Sequence, residues 1–213
     1  MNLSKYGLIT GLGACALMVI APTANADVTS STAPNWAKAA TALGPNGSLW
    51  GPTFAAGLKQ SGGIQVYKGD PLKQYGNGAI ATYKVGKKQI QFFENWNGVP
   101  SAIDPPPSTR RLLVGNPTIK LGGPDTPIAI KTQVSADCYQ AKLKNGELPE
   151  PPANARCKES DVSKFGGELR MTAKPSNTMG SPGNTDVVIQ VSPGVSYQQL
   201  LKIASGLQQF AGQ

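Results

Sequence analysis

The sequence contains no histidine among its 213 residues. This absence removes Ser-His-Asp and Cys-His catalytic groups, most zinc sites and the usual general base near neutral pH. No serine is followed three residues later by lysine, which disfavours the lysine-assisted serine hydrolases. The commonest hydrolase mechanisms therefore lack their parts, and we expect no catalytic residue of these types, no cofactor and no metal site.

Long apolar runs are also missing. The longest covers residues 7–22, about 16 residues interrupted by three glycines, whereas a membrane-spanning helix needs about 20. Lys5 precedes this run and Ala24-Asn25-Ala26 follows it, which is the pattern of an export signal cut by signal peptidase. We expect a signal peptide over residues 1–26, one mature domain over residues 27–213 and no transmembrane segment in the mature protein.

Cysteine is scarce, occurring only at positions 15, 138 and 157. Cys15 ends a Leu-Gly-Ala-Cys segment that resembles a lipobox, but the apolar run continues past it, so soluble export is favoured and lipidation stays the alternative. Cys138 and Cys157 remain after cleavage, and an oxidising compartment favours a disulfide between them. That disulfide would close an exposed loop and contribute about 3 kcal/mol.

Acidic residues are outnumbered by basic ones, with 12 Asp and Glu against 20 Lys and Arg, a net charge of +8. Removing residues 1–26 removes Lys5 and no acid, which leaves +7 (8 − 1). This moderate charge favours either solubility alone or attraction to anionic surfaces. Four arginines spread over the chain do not form the clustered footprint of a nucleic-acid-binding protein, so we expect no nucleic-acid partner.

Hydrophobic periodicity predicts an α+β fold. Gly and Pro breaks delimit two short N-terminal helices, near residues 35–43 and 52–60. Gly86-Lys87 joins two strands in a type II′ hairpin. Ser196 and Gln199 form a capping box before an amphipathic C-terminal helix that needs a sheet to pack on. We expect a mainly antiparallel sheet of six or seven strands, with strand signals at residues 64–66, 79–85, 88–93, 118–121, 127–134, 168–173 and 186–191.

Two groups of residues are candidates for binding. Lys84, Lys87 and Lys88 surround the hairpin tip and, with Lys73, would form an anion-binding patch, although charged hairpin tips are ordinary features. Phe93, Glu94 and Trp96 would form a glycan-binding platform, although aromatic residues more often belong to a core. Glu94 could also work with Asp104, Asp125 or Asp137 as the acid/base pair of a glycan hydrolase.

The last third of the chain resembles small exported proteins of actinobacteria, the mycobacteria-like group. The residues that carry the resemblance are Cys138, Leu148-Pro149, Cys157, Gly166-Gly167, Asp186-Val187-Val188-Ile189 and the helix Tyr197–Ala204. That group is largely without assigned function, so the resemblance implies an exported location and carries no catalytic residue to this chain.

The sequence favours a secreted or cell-wall-associated protein with a non-enzymatic binding domain. Its expected partners are anionic envelope polymers, a lipid or another envelope protein. The alternatives are a carboxylate-based glycan hydrolase and a lipid-carrying domain, the latter requiring a large apolar cavity under the C-terminal helix.

Overall fold

The computed structural model describes residues 29–45, 48–68, 78–94, 109–121, 129–144, 147–173 and 185–212. These residues form three helices and eleven strands. In chain order the elements are β1 Thr29–Ala33, α1 Trp36–Leu43, β2 Ser48–Pro52, β3 Lys59–Gln60, β4 Ile64–Lys68, β5 Gly78–Val85, β6 Lys88–Glu94, β7 Thr109–Gly115, β8 Ile130–Gln140, α2 Glu159–Phe165, β9 Gly167–Ala173, β10 Thr185–Val191, α3 Tyr197–Ser205 and β11 Leu207–Ala211.

Nine of these strands form one sheet. Eight follow the order β1-β4-β5-β6-β10-β9-β8-β7, and β3 pairs with β5 beside the end of β4. Every pairing is antiparallel, as predicted. The predicted number of six or seven strands is wrong, because the short strands β1, β3 and β7 also join the sheet.

The second predicted helix, at residues 52–60, is not formed. Its first residue, Pro52, is the last residue of β2, which pairs with β11 in a separate two-stranded sheet. Ala56 and Gly57 then have φ values of 52° and 78°, in the left-handed region that a right-handed helix cannot contain. The segment ends in β3. Ala-rich composition favours a helix only weakly, and here strand pairing overrides it.

The first predicted helix and the hairpin are confirmed. Asn35 caps α1 by accepting from the backbone N–H of Lys38 at 2.9 Å. Strands β5 and β6 pair up to Val85 and Lys88. Gly86 has φ 58° and Lys87 has no positive φ, as a type II′ turn requires.

The C-terminal helix also begins as predicted. Ser196 accepts from the backbone N–H of Gln199, and Gln199 accepts from that of Ser196. The helix ends at Ser205, and Leu207, which continues the apolar stripe in sequence, starts β11 instead. The buried side of α3 consists of Leu200, Ile203 and Ala204, and the helix contacts β10 and α2.

The central strands of the large sheet alternate strictly between two faces. The side chains on one face form the core, where they pack against α1, α3 and the small sheet. The buried core residues of β6, β10, β9 and β8 on this face are Ile90, Phe92, Val187, Ile189, Val191, Leu169, Met171, Val134 and Ala136. The interior position predicted for residues 186–191 is confirmed, since β10 lies between β6 and β9.

The second face carries a row of polar side chains in cross-strand register. Thr82 pairs with Gln91, Gln91 with Gln190, Gln190 with Glu168, and Glu168 with Ser135. All but Thr82 are buried. The carbonyl oxygen Oε1 of Gln91 has no hydrogen-bond partner. We refer to these five residues as the polar row.

The polar row ends in a buried ion network centred on Arg111. Its Nε and Nη2 donate to the two oxygens of Asp137 at 2.7 and 3.1 Å, and its Nη1 donates to Glu168. Arg170 and Gln190 donate to Glu168 as well. Burial alone would lower the pKa of Arg111, but the two carboxylates raise it above its ordinary value. The guanidinium therefore stays charged and holds β7, β8 and β9 together.

The predicted disulfide is confirmed. Cys138 in β8 and Cys157 are joined, with Cα atoms 5.8 Å apart. The backbone N–H of Cys157 donates to the carbonyl oxygen of Leu113 in β7, which anchors the chain just before α2. Gly166 and Gly167 follow that helix; a Cβ atom on Gly167 would lie 2.3 Å from the carbonyl oxygen of Ser135. The glycine pair thus permits β9 to approach β8.

In the described part of the chain, no helix is both long and apolar enough to cross a membrane. The strands predicted at residues 118–121 and 127–134 differ from the structure. Ile119 and Leu121 are buried but outside any strand, and the second strand starts later and runs through Cys138 to Gln140.

Replacing Arg111 by Met should lower the free energy of unfolding by about 3–5 kcal/mol, because Asp137 would remain buried without its cation. The matched control is Arg110→Met. Arg110 pairs with Glu150, whose side chain is 82% exposed, so that change should cost at most about 1 kcal/mol. Urea denaturation measures both; equal losses would show that Arg111 has no special structural role.

Candidate functional site

The predicted lysine patch lies at the tip of the β5–β6 hairpin. Lys84, Lys87 and Lys88 are all exposed there, while Lys73 lies outside the described residues. Strand β3 adds Lys59, which pairs directly with Lys84. We call Lys59, Lys84, Lys87 and Lys88 the lysine tip. No carboxylate of the described residues lies within 4.0 Å of any of these four ammonium groups.

The pairing of Lys59 with Lys84 is electrostatically unfavourable. Like charges directly opposite each other destabilise an antiparallel pair, and no described acid relieves the repulsion. An anion bound between the two ammonium groups would relieve this repulsion. The side chain of Val85, beside Lys84, is one of three large apolar residues exposed in the described structure, with 51% of its surface accessible. The tip therefore combines concentrated positive charge with an exposed apolar side chain.

The predicted glycan platform is not assembled by the strand that carries it. Phe93 and Glu94 are consecutive residues of β6, so they point to opposite faces of the sheet. Phe93 is 7% exposed, paired with Ile80 and Val188, and Glu94 is fully buried in the core. Trp96 lies outside the described residues. Sequence proximity suggested a common site, but the pleat separates these two side chains.

Glu94 connects the two sheets. Both of its carboxyl oxygens accept from the backbone N–H of Trp50 in β2, at 3.0 and 2.9 Å. No described cation pairs with it. Burial therefore raises the pKa of Glu94 well above its ordinary value, and the single backbone hydrogen bond lowers it only partly. The environment of Glu94 therefore favours the uncharged form of its carboxyl group.

Glu94 and Asp137 cannot form the predicted acid/base pair of a glycan hydrolase. Asp137, one of the candidate partners, is engaged by Arg111 on the polar face, opposite the core face that holds Glu94. Two carboxyl groups on opposite sides of a sheet cannot flank one glycosidic bond. The other candidates, Asp104 and Asp125, lie outside the described residues.

One grouping of possible metal ligands occurs in the described part of the chain. It combines Cys138, Cys157 and Asp161, whose ligand atoms lie within 4.8 Å of one another. The two sulfur atoms are joined to each other, so neither is available as a thiolate. Asp161 accepts from the backbone N–H of Lys158 at 2.7 Å and caps α2. These contacts account for all three residues without a metal.

A cleft of about 520 Å³ lies beside the start of β8. One wall is Asn116, Pro117 and Thr118, which follow β7, and the other contains Ala129 and residues 131–133. The backbone N–H of Ala129 donates to the carbonyl oxygen of Ile119 at 3.0 Å, which ties the two walls together. The lining residues that the structure describes present amides, hydroxyls and one ammonium group, and none of them is an acid. Its volume suits a small ligand.

Lys131, the one cation among the described lining residues, lies in a β-bulge. Ile130 pairs with Thr172 and Gln133 with Arg170, so three steps along β8 match two along β9. Lys131 has φ 53°, a left-handed conformation that costs a residue with a Cβ atom about 1–2 kcal/mol. Bulges and residues held in such conformations are frequent at binding sites.

Sequence reasoning missed several of these residues for identifiable reasons. Lys59 was hidden inside a predicted helix. The apolar run Val187-Val188-Ile189 concealed the fact that Gln190 continues a polar row. Lys131 gave no signal, because a bulge depends on the pairing of β8 with β9, which the sequence of β8 alone does not define.

Comparisons of the chain with protein-family models, with curated proteins and with solved structures find no match. The geometry of the described residues is therefore the basis for assigning a function.

Replacing Glu94 by Gln should change how stability depends on pH. The unfolded chain loses the Glu94 proton near pH 4.3, whereas the folded protein keeps it to higher pH. Stability from this group is thus fully present below that pH and is lost as pH rises towards the folded pKa, by about 1.4 kcal/mol per pH unit. The Gln variant should lack this decline and be more stable than the native protein at neutral pH.

Urea denaturation from pH 4 to pH 8 measures the difference. Glu147→Gln is the control, because Glu147 is exposed and its replacement should leave the pH profile unchanged. A Glu94→Gln variant whose stability runs parallel to that of the native protein would show that Glu94 is not held neutral by the fold.

Proposed function

We propose that this chain is an exported, non-enzymatic domain that binds the anionic surface of the cell envelope through the lysine tip. The observation that carries this proposal is the pairing of Lys59 with Lys84, flanked by Lys87 and Lys88, with no described acid within 4.0 Å. Lysines on an edge strand also prevent edge-to-edge aggregation. Protection against aggregation does not require two lysines directly opposite each other, so the pairing of Lys59 with Lys84 favours an anionic partner.

Phospholipid headgroups fit this tip better than a purely polar polyanion does. Val85 is exposed next to the hairpin turn, where it pairs with Lys88 and lies on the sheet face opposite to Lys84 and Lys59. An apolar side chain among cations gains free energy at a membrane interface, where it enters the headgroup region while the ammonium groups meet phosphates. The same side chain gains no such free energy while it stays exposed to water. The expected partner is therefore an anionic lipid surface outside the cytosol.

Export is part of the proposal. The Ala24-Asn25-Ala26 cleavage pattern precedes the described domain, and the disulfide between Cys138 and Cys157 suits an oxidising compartment. A non-enzymatic role is supported by the lack of histidine and by the complete burial of Glu94, which the sequence had offered as a catalytic acid. The lipid-carrying alternative gains no support, because the apolar side of α3 is filled by Leu200, Ile203 and Ala204.

The double variant Lys59→Gln with Lys84→Gln should bind anionic vesicles roughly 30-fold more weakly than the native protein, since each lysine near such a surface contributes about 1 kcal/mol. Co-sedimentation with vesicles of phosphatidylcholine containing phosphatidylglycerol measures it. Binding should weaken with added salt and be lost on pure phosphatidylcholine.

The matched control is Lys142→Gln with Lys144→Gln, two exposed lysines outside the tip whose loss gives the same net charge. It should bind nearly as the native protein does. If both double variants lost the same vesicle affinity, net charge alone would explain the effect and a specific site would be refuted. Binding to insoluble cell wall but not to vesicles would replace the lipid by an acidic wall polymer and overturn the role given to Val85.

The protein expressed with its own leader should be recovered outside the cytosol, in the envelope fraction or the culture medium, as a chain that begins at Asp27. Intact-mass measurement should give the mass of residues 27–213 less two hydrogen atoms, because the disulfide is closed. Recovery of the full-length chain from the cytosol with both thiols free would contradict export.

A further inference from the structure

We propose that the cleft beside β8 binds the oxyanion group of a small hydroxylated molecule, with Lys131 as its anchoring cation. This site is independent of the lysine tip. Four steps in strand order separate β5 from β8, roughly 20 Å at the usual spacing of strands. The two sites also lie towards opposite ends of the strands, since Lys84 is close to the hairpin turn and Lys131 near the start of β8.

The charge of the cleft selects an anion. Lys131 is exposed, and no carboxylate of the described residues lies within 4.0 Å of its ammonium group. A second cation is adjacent, because Arg170 pairs with Gln133 of the cleft wall and its side chain is 60% exposed. Glu168 accepts from Nε and Nη2 of Arg170. In the described part of the structure, Nη1 has no partner and remains able to donate to a ligand.

The remaining wall selects a ligand with hydroxyl groups. Asn116 and Gln133 provide amides that both donate and accept, and Thr118 and Thr132 provide hydroxyls. Gln133 is held in place by donating to the Oγ of Ser135 at 3.3 Å, which links the cleft to the polar row. Such groups match a sugar ring, and the cations match a carboxylate or a phosphate on it. The ligand class is therefore a sugar acid or a sugar phosphate.

The backbone at Lys131 supports a binding role over a structural one. Glycine would fit its φ of 53° without strain, so a lysine there does not serve stability. Ala56 has nearly the same φ, 52°, outside the cleft lining. Among the described residues other than glycine, these two have a positive φ, and of the two only Lys131 lines the cleft.

The test measures binding of glucuronate, glucose 6-phosphate and uncharged glucose to the native protein by isothermal titration calorimetry. Lys131→Gly should weaken binding of the charged sugars at least tenfold while the melting temperature stays equal or rises. Lys131→Gln should weaken binding similarly without relieving the strain, and Lys131→Arg should retain most of it. Ala56→Gly should raise the melting temperature and leave binding unchanged.

Preference between glucuronate and glucose 6-phosphate identifies the oxyanion as a carboxylate or a phosphate, and either preference supports the proposal. Equal binding of glucose, no binding of either charged sugar, or unaltered binding by Lys131→Gly would each overturn it. Because Lys59→Gln with Lys84→Gln leaves this cleft intact, loss of vesicle binding and loss of sugar binding are separable results.

Discussion

The fold depends on the register of its central strands. In an antiparallel sheet a slip of one residue moves every side chain to the other face. Here such a slip in β10 would place Gln190 in the core and expose Val187 and Ile189 on the polar face. Both faces oppose it, because the core would lose apolar contacts and Glu168 would lose a donor. The alternation of apolar and polar residues therefore fixes the pairing of strands that are far apart in sequence.

The core face nevertheless contains one acid, and its position explains how the small sheet is attached. Glu94 lies at the end of β6, where its carboxyl group reaches the backbone of Trp50 in β2. A backbone N–H at that point would otherwise be buried without a partner, at a cost of about 1–3 kcal/mol. The raised pKa of Glu94 favours the uncharged carboxyl group, which satisfies this N–H without the larger cost of burying a charge. The complete burial of Glu94 also separates it from any external substrate in this structure.

The sequence predicted those elements whose signals are local. Gly86 defined the hairpin, Asn35 and Ser196 sit at helix starts, and the predicted pairing of Cys138 with Cys157 is confirmed. The unpredicted features are all non-local. Strand β7 follows a proline-rich stretch and is stabilised by Arg111, whose partners are 26 and 57 residues away. Helix propensity at residues 52–60 yielded to pairing between β2 and β11 for the same reason.

The candidate sites show the same difference between local and non-local signals. Residues of the lysine tip that cluster in sequence were identified from it, whereas Lys59 and the cleft require the assembled sheet. Their chemistry is nevertheless consistent, since both sites present cations without a described carboxylate nearby. Among the described acids, Glu94 is buried in the core and Asp137 is paired with Arg111, whereas the lysine tip and Lys131 have no described carboxylate within 4.0 Å. This separation of charge is the common ground on which we propose anion binding at both sites.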